Sequence, residues 1–152
     1  VYRRSNVVKS EKFSEMLQRA MHAYLNGMLT NEEVIEELLK VAREIMDAQK
    51  AGEQTGLTQE EIAFYDAITK PQAVKDFYTN EELVEMTREL TDMLRRNKTI
   101  DWQKKESARA NMRRLVKRLL KRHKYPPEGQ EEALETVIRQ CENWTDFSEE
   151  TR

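Results

Sequence analysis

Apolar side chains recur along the chain at the three- and four-residue spacing of amphipathic helices. The spacing predicts about six helices, over 10–26, 31–51, 59–70, 80–96, 102–124 and from Pro126-Pro127 onward. No alternation of period two lasts long enough to predict a strand. The pattern therefore predicts an all-α fold, a helical bundle of about six helices with no sheet.

Three of the predicted helices begin with the sequence of a capping box. In this motif a threonine hydroxyl accepts a hydrogen bond from the first turn, and a glutamate three residues later reaches back to the backbone N–H of the threonine. The three pairs are Thr30–Glu33, Thr58–Glu61 and Thr79–Glu82. They place helix starts at 31, 59 and 80.

The second predicted helix carries two adjacent apolar rows. One row is Val34, Leu38, Val41 and Ile45, and the other is Ile35, Leu39, Ala42 and Met46. Together they predict one broad buried face. Glycines tolerate the left-handed conformation that ends many helices, so we predict that Gly27 and Gly52 end the first two helices.

Composition and length fit one domain of long, solvated helices. The chain has 152 residues, of which 36% are charged and only four are glycine. We predict a helical domain over 10–145, a linker from a preceding domain over 1–9 and a tail over 146–152. Because the first residue is Val1 and not methionine, we expect the chain to be part of a longer protein.

Few residues suggest catalysis or membrane insertion. The chain has one cysteine, Cys141, which cannot form an internal disulfide, so we predict a reducing, cytoplasmic setting. Because Cys141 lies on an apolar row, we predict that it is a small core residue. We predict that His22 is a half-exposed helical residue and that His123 is part of a basic surface. No phosphate-binding loop, serine-hydrolase elbow or apolar run of about 18 residues is present. We predict no catalytic residue, cofactor or metal ion in the chain, and no membrane partner.

Charge is balanced over the whole chain but concentrated in one segment. Residues 95–124 contain 13 Lys and Arg against two acids, Asp101 and Glu106, although the net charge of the chain is −2. Such a concentration indicates an anionic partner for the segment.

The basic helix, 104–124, separates its charges from its apolar side chains. Those from Ala108 to Leu120 fall within an arc of roughly 140°, and basic residues occupy the opposite arc and its borders. Candidate contacts to DNA or to a partner are Arg109, Arg113, Arg114, Lys117, Arg118, Lys121 and Arg122. Six neutralised phosphates would give a log-affinity against log-salt slope of about −5, without base recognition. These seven residues form a basic ridge. It could equally contact an acidic partner protein, or the acidic helices 31–51 and 80–96 of the same domain.

Three separated strings make the chain recognisable. They are Asn-Lys-Thr-Ile-Asp-Trp at 97–102 with the arginine-rich helix that follows, Lys-Tyr-Pro-Pro at 124–127, and Leu-Thr-Gln-Glu-Glu-Ile-Ala-Phe-Tyr-Asp-Ala at 57–67. In this order they resemble the C-terminal helical domain of the R (HsdR) subunit of type I restriction–modification enzymes. The resemblance extends over residues 10–145.

The resemblance implies a parent subunit with a nuclease domain and two helicase-like lobes that translocate DNA using ATP and Mg²⁺. It implies a non-catalytic assembly module that docks this motor onto the methyltransferase core, with the M subunit and the rest of the R subunit as partners. The residue pattern alone leaves a second reading open, a DNA-backbone-binding module that uses the basic helix.

Replacing Leu115 or Leu119 by Asp is expected to unfold or loosen the bundle, because each change places an unpaired charge among apolar side chains. Circular dichroism checks this expectation. A variant that folds as well as the parent would contradict the assignment of the buried face.

Overall fold

The computed structural model describes residues 6–71, 74, 76–97 and 106–150, with side chains as far as Glu142. This part contains six α-helices of 11 to 24 residues and no strand, which confirms the predicted all-α fold. They are α1 (Val7–Leu25), α2 (Asn31–Gln54), α3 (Gln59–Thr69), α4 (Asn80–Asn97), α5 (Glu106–Arg122) and α6 (Pro127–Glu150).

The predicted capping boxes are confirmed. In each, the glutamate carboxylate accepts a hydrogen bond from the threonine N–H at 2.9 Å, and the threonine hydroxyl accepts one from the glutamate N–H at 3.2 Å. At Thr30 and Thr79 these bonds lower the pKa of Glu33 and Glu82. At the start of α6, Pro127 occupies the first helical position, where the missing N–H is harmless.

Two helix boundaries differ from the prediction by three residues. The first helix begins at Val7 and not at 10, because the Asn6 side chain accepts a hydrogen bond from the Lys9 N–H at 3.0 Å and caps it. The second continues past Gly52 to Gln54, so Gly52 does not end it. Gly52 is buried, and a Cβ there would lie 3.0 Å from Ile62 Cδ1, so the glycine serves a close helix–helix approach. The left-handed residue after this helix is Gly56, with φ of 76°.

The core lies among α3, α4, α5 and α6. The short α3 packs against α4, α6 and α1, and its Ala63, Phe64, Ala67 and Ile68 are almost completely buried. From α5, Met112, Val116, Leu119 and Leu120 enter the same core, while Leu115 is only partly buried. Leu119 is 2% exposed, so replacing it by Asp is a stronger test of the buried face of α5 than replacing Leu115. Cys141 is fully buried, as predicted.

Polar contacts attach the start of α1 to α3 and α6. Asn6 Nδ2 donates to Asp66 Oδ2 at 2.8 Å, and the Val7 N–H donates to Gln140 Oε1 at 2.7 Å. Lys9 Nζ lies 3.3 Å from the same Asp66 oxygen. The next helix, α2, packs chiefly against α1, so α1 and α2 form a helical hairpin on the outside of the core.

A buried tyrosine connects the segment before α6 to the end of α3. Tyr125 is 2% exposed, and its hydroxyl donates to the Ile68 carbonyl at 2.6 Å. That carbonyl belongs to the last turn of α3, where the regular helical bonding ends. Burial raises the pKa of Tyr125 above its ordinary value, so the hydroxyl keeps its proton and remains a donor.

Replacing Tyr125 by Phe is expected to cost about 1–2 kcal/mol of unfolding free energy, because the buried Ile68 carbonyl loses its donor. Urea unfolding followed by circular dichroism measures the loss. The matched control is Tyr24→Phe, whose hydroxyl donates at 2.6 Å to Asn31 on an exposed surface. That change should cost less than about 0.5 kcal/mol. Equal losses in the two variants would contradict the role given to Tyr125.

Candidate functional site

The basic helix α5 is held by its apolar side. Met112, Val116, Leu119 and Leu120 are buried, and α5 packs against α6 and α4. Because these residues follow helical spacing, the opposite side of α5 is left to solvent. The predicted basic ridge therefore exists, but its seven candidate residues have different surroundings.

Three border arginines of α5 form ion pairs within the domain. Arg109 Nη2 lies 3.2 Å from Glu142 Oε1, Arg113 pairs with Glu135, and Arg122 pairs with Glu89. The hydrogen bond to Glu135 raises the pKa of Arg113. The predicted pairing with acidic helices is thus correct in part. Within the described residues the partners come from α6 and α4, and none comes from α2.

Four other cations form an uninterrupted row on the outer side of α5, which we call the cationic stripe: Arg114, Lys117, Arg118 and Lys121. All four side chains are exposed. In the described part of the chain, none of them has a carboxylate within 4.0 Å. Arg114 Nη2 donates to the side-chain carbonyl of Asn111 at 2.8 Å, which orients the guanidinium on the helix surface.

His123 is not a simple part of the basic surface, which corrects the prediction. The ring is partly buried, and its Nε2 lies 2.7 Å from Glu89 Oε2. Burial, together with the neighbouring Arg122 charge, lowers the pKa of His123, while Glu85 acts in the opposite direction. His22 is exposed and contacts Asn26 near the end of α1.

The hairpin of α1 and α2 carries a second surface, which the sequence did not predict. We call it the apolar hairpin face: Leu17, Met21, Leu25, Met28, Ile35, Leu38, Leu39 and Met46. All eight side chains are exposed, Leu25 by 75% and Met28 by 65%. The predicted broad buried face of α2 is therefore wrong in part. Val34 and Val41 are buried, but Leu38 of the same row is exposed, as are Ile35, Leu39 and Met46 of the other row.

The exposed residues of both helices lie on one side of the hairpin. Met21 follows the buried Ala20 and Ile35 follows the buried Val34, each by about 100° around its helix. The two helices run antiparallel. When the exposed row of each is turned from its buried row in the same sense around the helix axis, both exposed rows come to the same side of the pair. In the sequence, this exposed surface corresponds to apolar rows that are together too wide for one neighbouring helix to cover.

The described residues contain no group of three or more His, Cys, Asp and Glu that could hold a metal ion. The Cys141 thiol is buried, and His22 and His123 lie on different helices or turns with the contacts given above. From the sequence we predict that Trp102 and Trp144 are packing anchors and not base-stacking platforms. Trp102 and the side chain of Trp144 lie outside the described residues.

No helix in the described ranges is both long and apolar enough to cross a membrane.

Replacing Arg122 by Gln is expected to raise the pKa of His123, because a nearby positive charge is removed and Glu89 is freed to favour the imidazolium. NMR titration of the ring measures this pKa in both proteins. In the parent it should lie below the ordinary value of about 6.5. A folded state that resists protonation loses stability as pH falls below that value, and the variant should lose less. An unchanged or lower pKa in the variant would contradict this arrangement.

Comparison with known proteins gives a consistent result. A family model described as "Type I restriction enzyme HindI endonuclease subunit-like, C-terminal" matches residues 1–146. The chain is 41% identical over 138 residues to the type I restriction enzyme HindI endonuclease subunit of Haemophilus influenzae, covering 91% of the chain and 13% of that protein.

A second relative comes from an archaeon. The protein named "Putative type I restriction enzyme MjaIXP endonuclease subunit", from Methanocaldococcus jannaschii, is 34% identical over 117 residues, which cover 76% of the chain and 11% of that protein. The chain thus spans about an eighth of the length of these relatives. No solved structure matches.

Proposed function

Because the chain belongs to the family of C-terminal domains of type I restriction endonuclease subunits, we propose that it is a non-catalytic assembly module. In this proposal it docks the ATP-dependent, DNA-translocating endonuclease subunit onto the methyltransferase core in the cytoplasm. The apolar hairpin face is the docking surface. ATP and Mg²⁺ belong to other parts of the parent subunit.

One observation carries this proposal, the exposure of seven large apolar side chains on one side of α1 and α2, with Met28 exposed in the turn between them. Contiguous apolar surface on a soluble domain is uncommon and marks interaction sites. Rows at three- and four-residue spacing suit a partner groove or helix that accepts successive side chains. Burying these rows in a complex would remove them from water, which stabilises association.

The charge of α2 favours a different protein over a second copy of the chain. This helix carries seven acids against three basic residues, namely Glu32, Glu33, Glu36, Glu37, Glu44, Asp47 and Glu53 against Lys40, Arg43 and Lys50. Two such helices facing each other would bring like charges together. A partner with an apolar centre and a positively charged rim fits better, and we assign this role to the M subunit.

The 152-residue chain is expected to bind a purified core of M and S subunits, and to displace the intact R subunit from it. Because the contact is apolar, binding should persist at about 0.5 M salt, where exposed charges are screened. Fluorescence anisotropy of the labelled chain measures both effects. Failure of binding and of displacement with folded chain would contradict the proposal.

Substitutions on α2 locate the surface. Leu39→Asp with Met46→Asp should weaken binding to the core by at least about tenfold, equivalent to about 1.4 kcal/mol. Both side chains are exposed, so circular dichroism should show an unchanged fold. The matched control is Phe77→Asp, which changes an apolar side chain of similar exposure outside the hairpin and should bind normally. Equal binding by the double variant and the parent would contradict the assignment of this face.

A further inference from the structure

We propose that Arg114, Lys117, Arg118 and Lys121 form a binding site for the phosphate backbone of duplex nucleic acid, independent of its sequence. The proposal does not depend on docking to the methyltransferase, because the cationic stripe and the apolar hairpin face share no residue. It concerns a surface on α5, whereas docking concerns α1 and α2.

The first step is the difference between the paired and the unpaired cations of α5. Arg109, Arg113 and Arg122 each face a carboxylate of α6 or α4, so their charges are balanced within the domain. The four residues of the cationic stripe lack such a partner in the part of the chain that the structure describes. Four adjacent like charges repel one another, and an anionic ligand would relieve that repulsion.

The second step is the spacing of the stripe. Positions i, i+3, i+4 and i+7 fall within an arc of about 100° and extend about 10 Å along the helix axis. One strand of a duplex presents a phosphate about every 3.4 Å of its axis, so this length faces about three phosphates of a strand. Both arginines can hold two phosphate oxygens at once, and the lysines supply mobile charges between them.

The third step separates nucleic acid from other anionic partners. Protein interfaces have apolar centres and few lysines, yet α5 exposes no large apolar side chain in its described range. An anionic membrane would need an amphipathic helix with an apolar side free to insert, and that side of α5 is buried in the core. A phosphate backbone requires only the exposed cations.

Sequence independence is part of the same proposal, since contacts from the four cations to phosphate oxygens carry no information about the bases. Arginine and lysine on this stripe are flanked by Asn111, whose side-chain carbonyl is occupied by Arg114. Backbone contacts position a duplex but do not distinguish its sequence. Duplex DNA and duplex RNA of equal length should therefore bind within about tenfold of each other.

The test is anisotropy of a labelled random-sequence duplex, titrated with the 152-residue chain at 50 and 200 mM salt. Contact with about three phosphates predicts a log–log slope of about −2.7 and a loss of affinity of about fortyfold between the two conditions. Replacing all four stripe residues by Gln should weaken binding at the lower salt by at least about tenfold and flatten the slope. No binding by the parent at 50 mM would overturn the proposal.

A control with the same change in net charge makes the result specific. Arg19, Arg43, Lys50 and Lys70 are exposed elsewhere on the chain, and replacing all four by Gln also removes two arginines and two lysines. This variant should bind the duplex as the parent does. Equal weakening in the two variants would mean that only net charge matters, and would overturn the site.

Two further probes test the class of ligand. A polyglutamate peptide that binds as tightly as DNA, and loses binding in the stripe variant, would assign the surface to an acidic protein and overturn the proposal. A preference of more than about tenfold for one DNA sequence would overturn the claim of backbone contact alone. Circular dichroism of every variant establishes that losses of binding are not losses of fold.

Discussion

The burial of the short helix α3 constrains most of this domain. A helix enclosed by α1, α4 and α6 cannot leave its last carbonyls to water, and the Tyr125 hydroxyl reaches from the segment before α6 to satisfy one of them. Close packing also bears on Gly52, because a Cβ there would lie 3.0 Å from Ile62 Cδ1 and the isoleucine side chain would have to shift. The enclosure of α3 also fixes Asp66, on which the start of α1 is anchored through Asn6 and Lys9. The outer hairpin is therefore positioned by contacts with α3.

Much of the fold could be predicted because local chemistry determines it. A capping box acts within four residues, so Thr30, Thr58 and Thr79 specify helix starts whatever surrounds them. The apolar side chains of α5 also point correctly to the core. Gly52 misled the prediction because a glycine that ends a helix and one that permits a close contact look alike in sequence. Asn6 lies just before the first apolar row, and the sequence does not distinguish an asparagine that caps a helix from an ordinary polar residue.

The candidate surfaces were predictable only in part, because pairing and coverage depend on the tertiary structure. The sequence shows seven cations on one helix, but only the packing of α6 and α4 decides that Arg113 and Arg122 are neutralised, while Lys117 has no carboxylate partner among the residues that the structure describes. Likewise, the sequence shows two apolar rows on α2, but the number of neighbouring helices decides which row is covered. One neighbour covers Val34 and Val41, and Ile35 and Leu39 remain for another protein.

The single thiol of the chain has a practical consequence. Cys141 is fully enclosed by the core, and no other cysteine exists in the chain. An alkylating reagent therefore reaches sulfur only when the structure around α6 opens, so the rate of modification reports the population of that open state. The domain thus contains its own reporter of cooperative opening, which distinguishes a partner that clamps the whole bundle from one that only covers its surface.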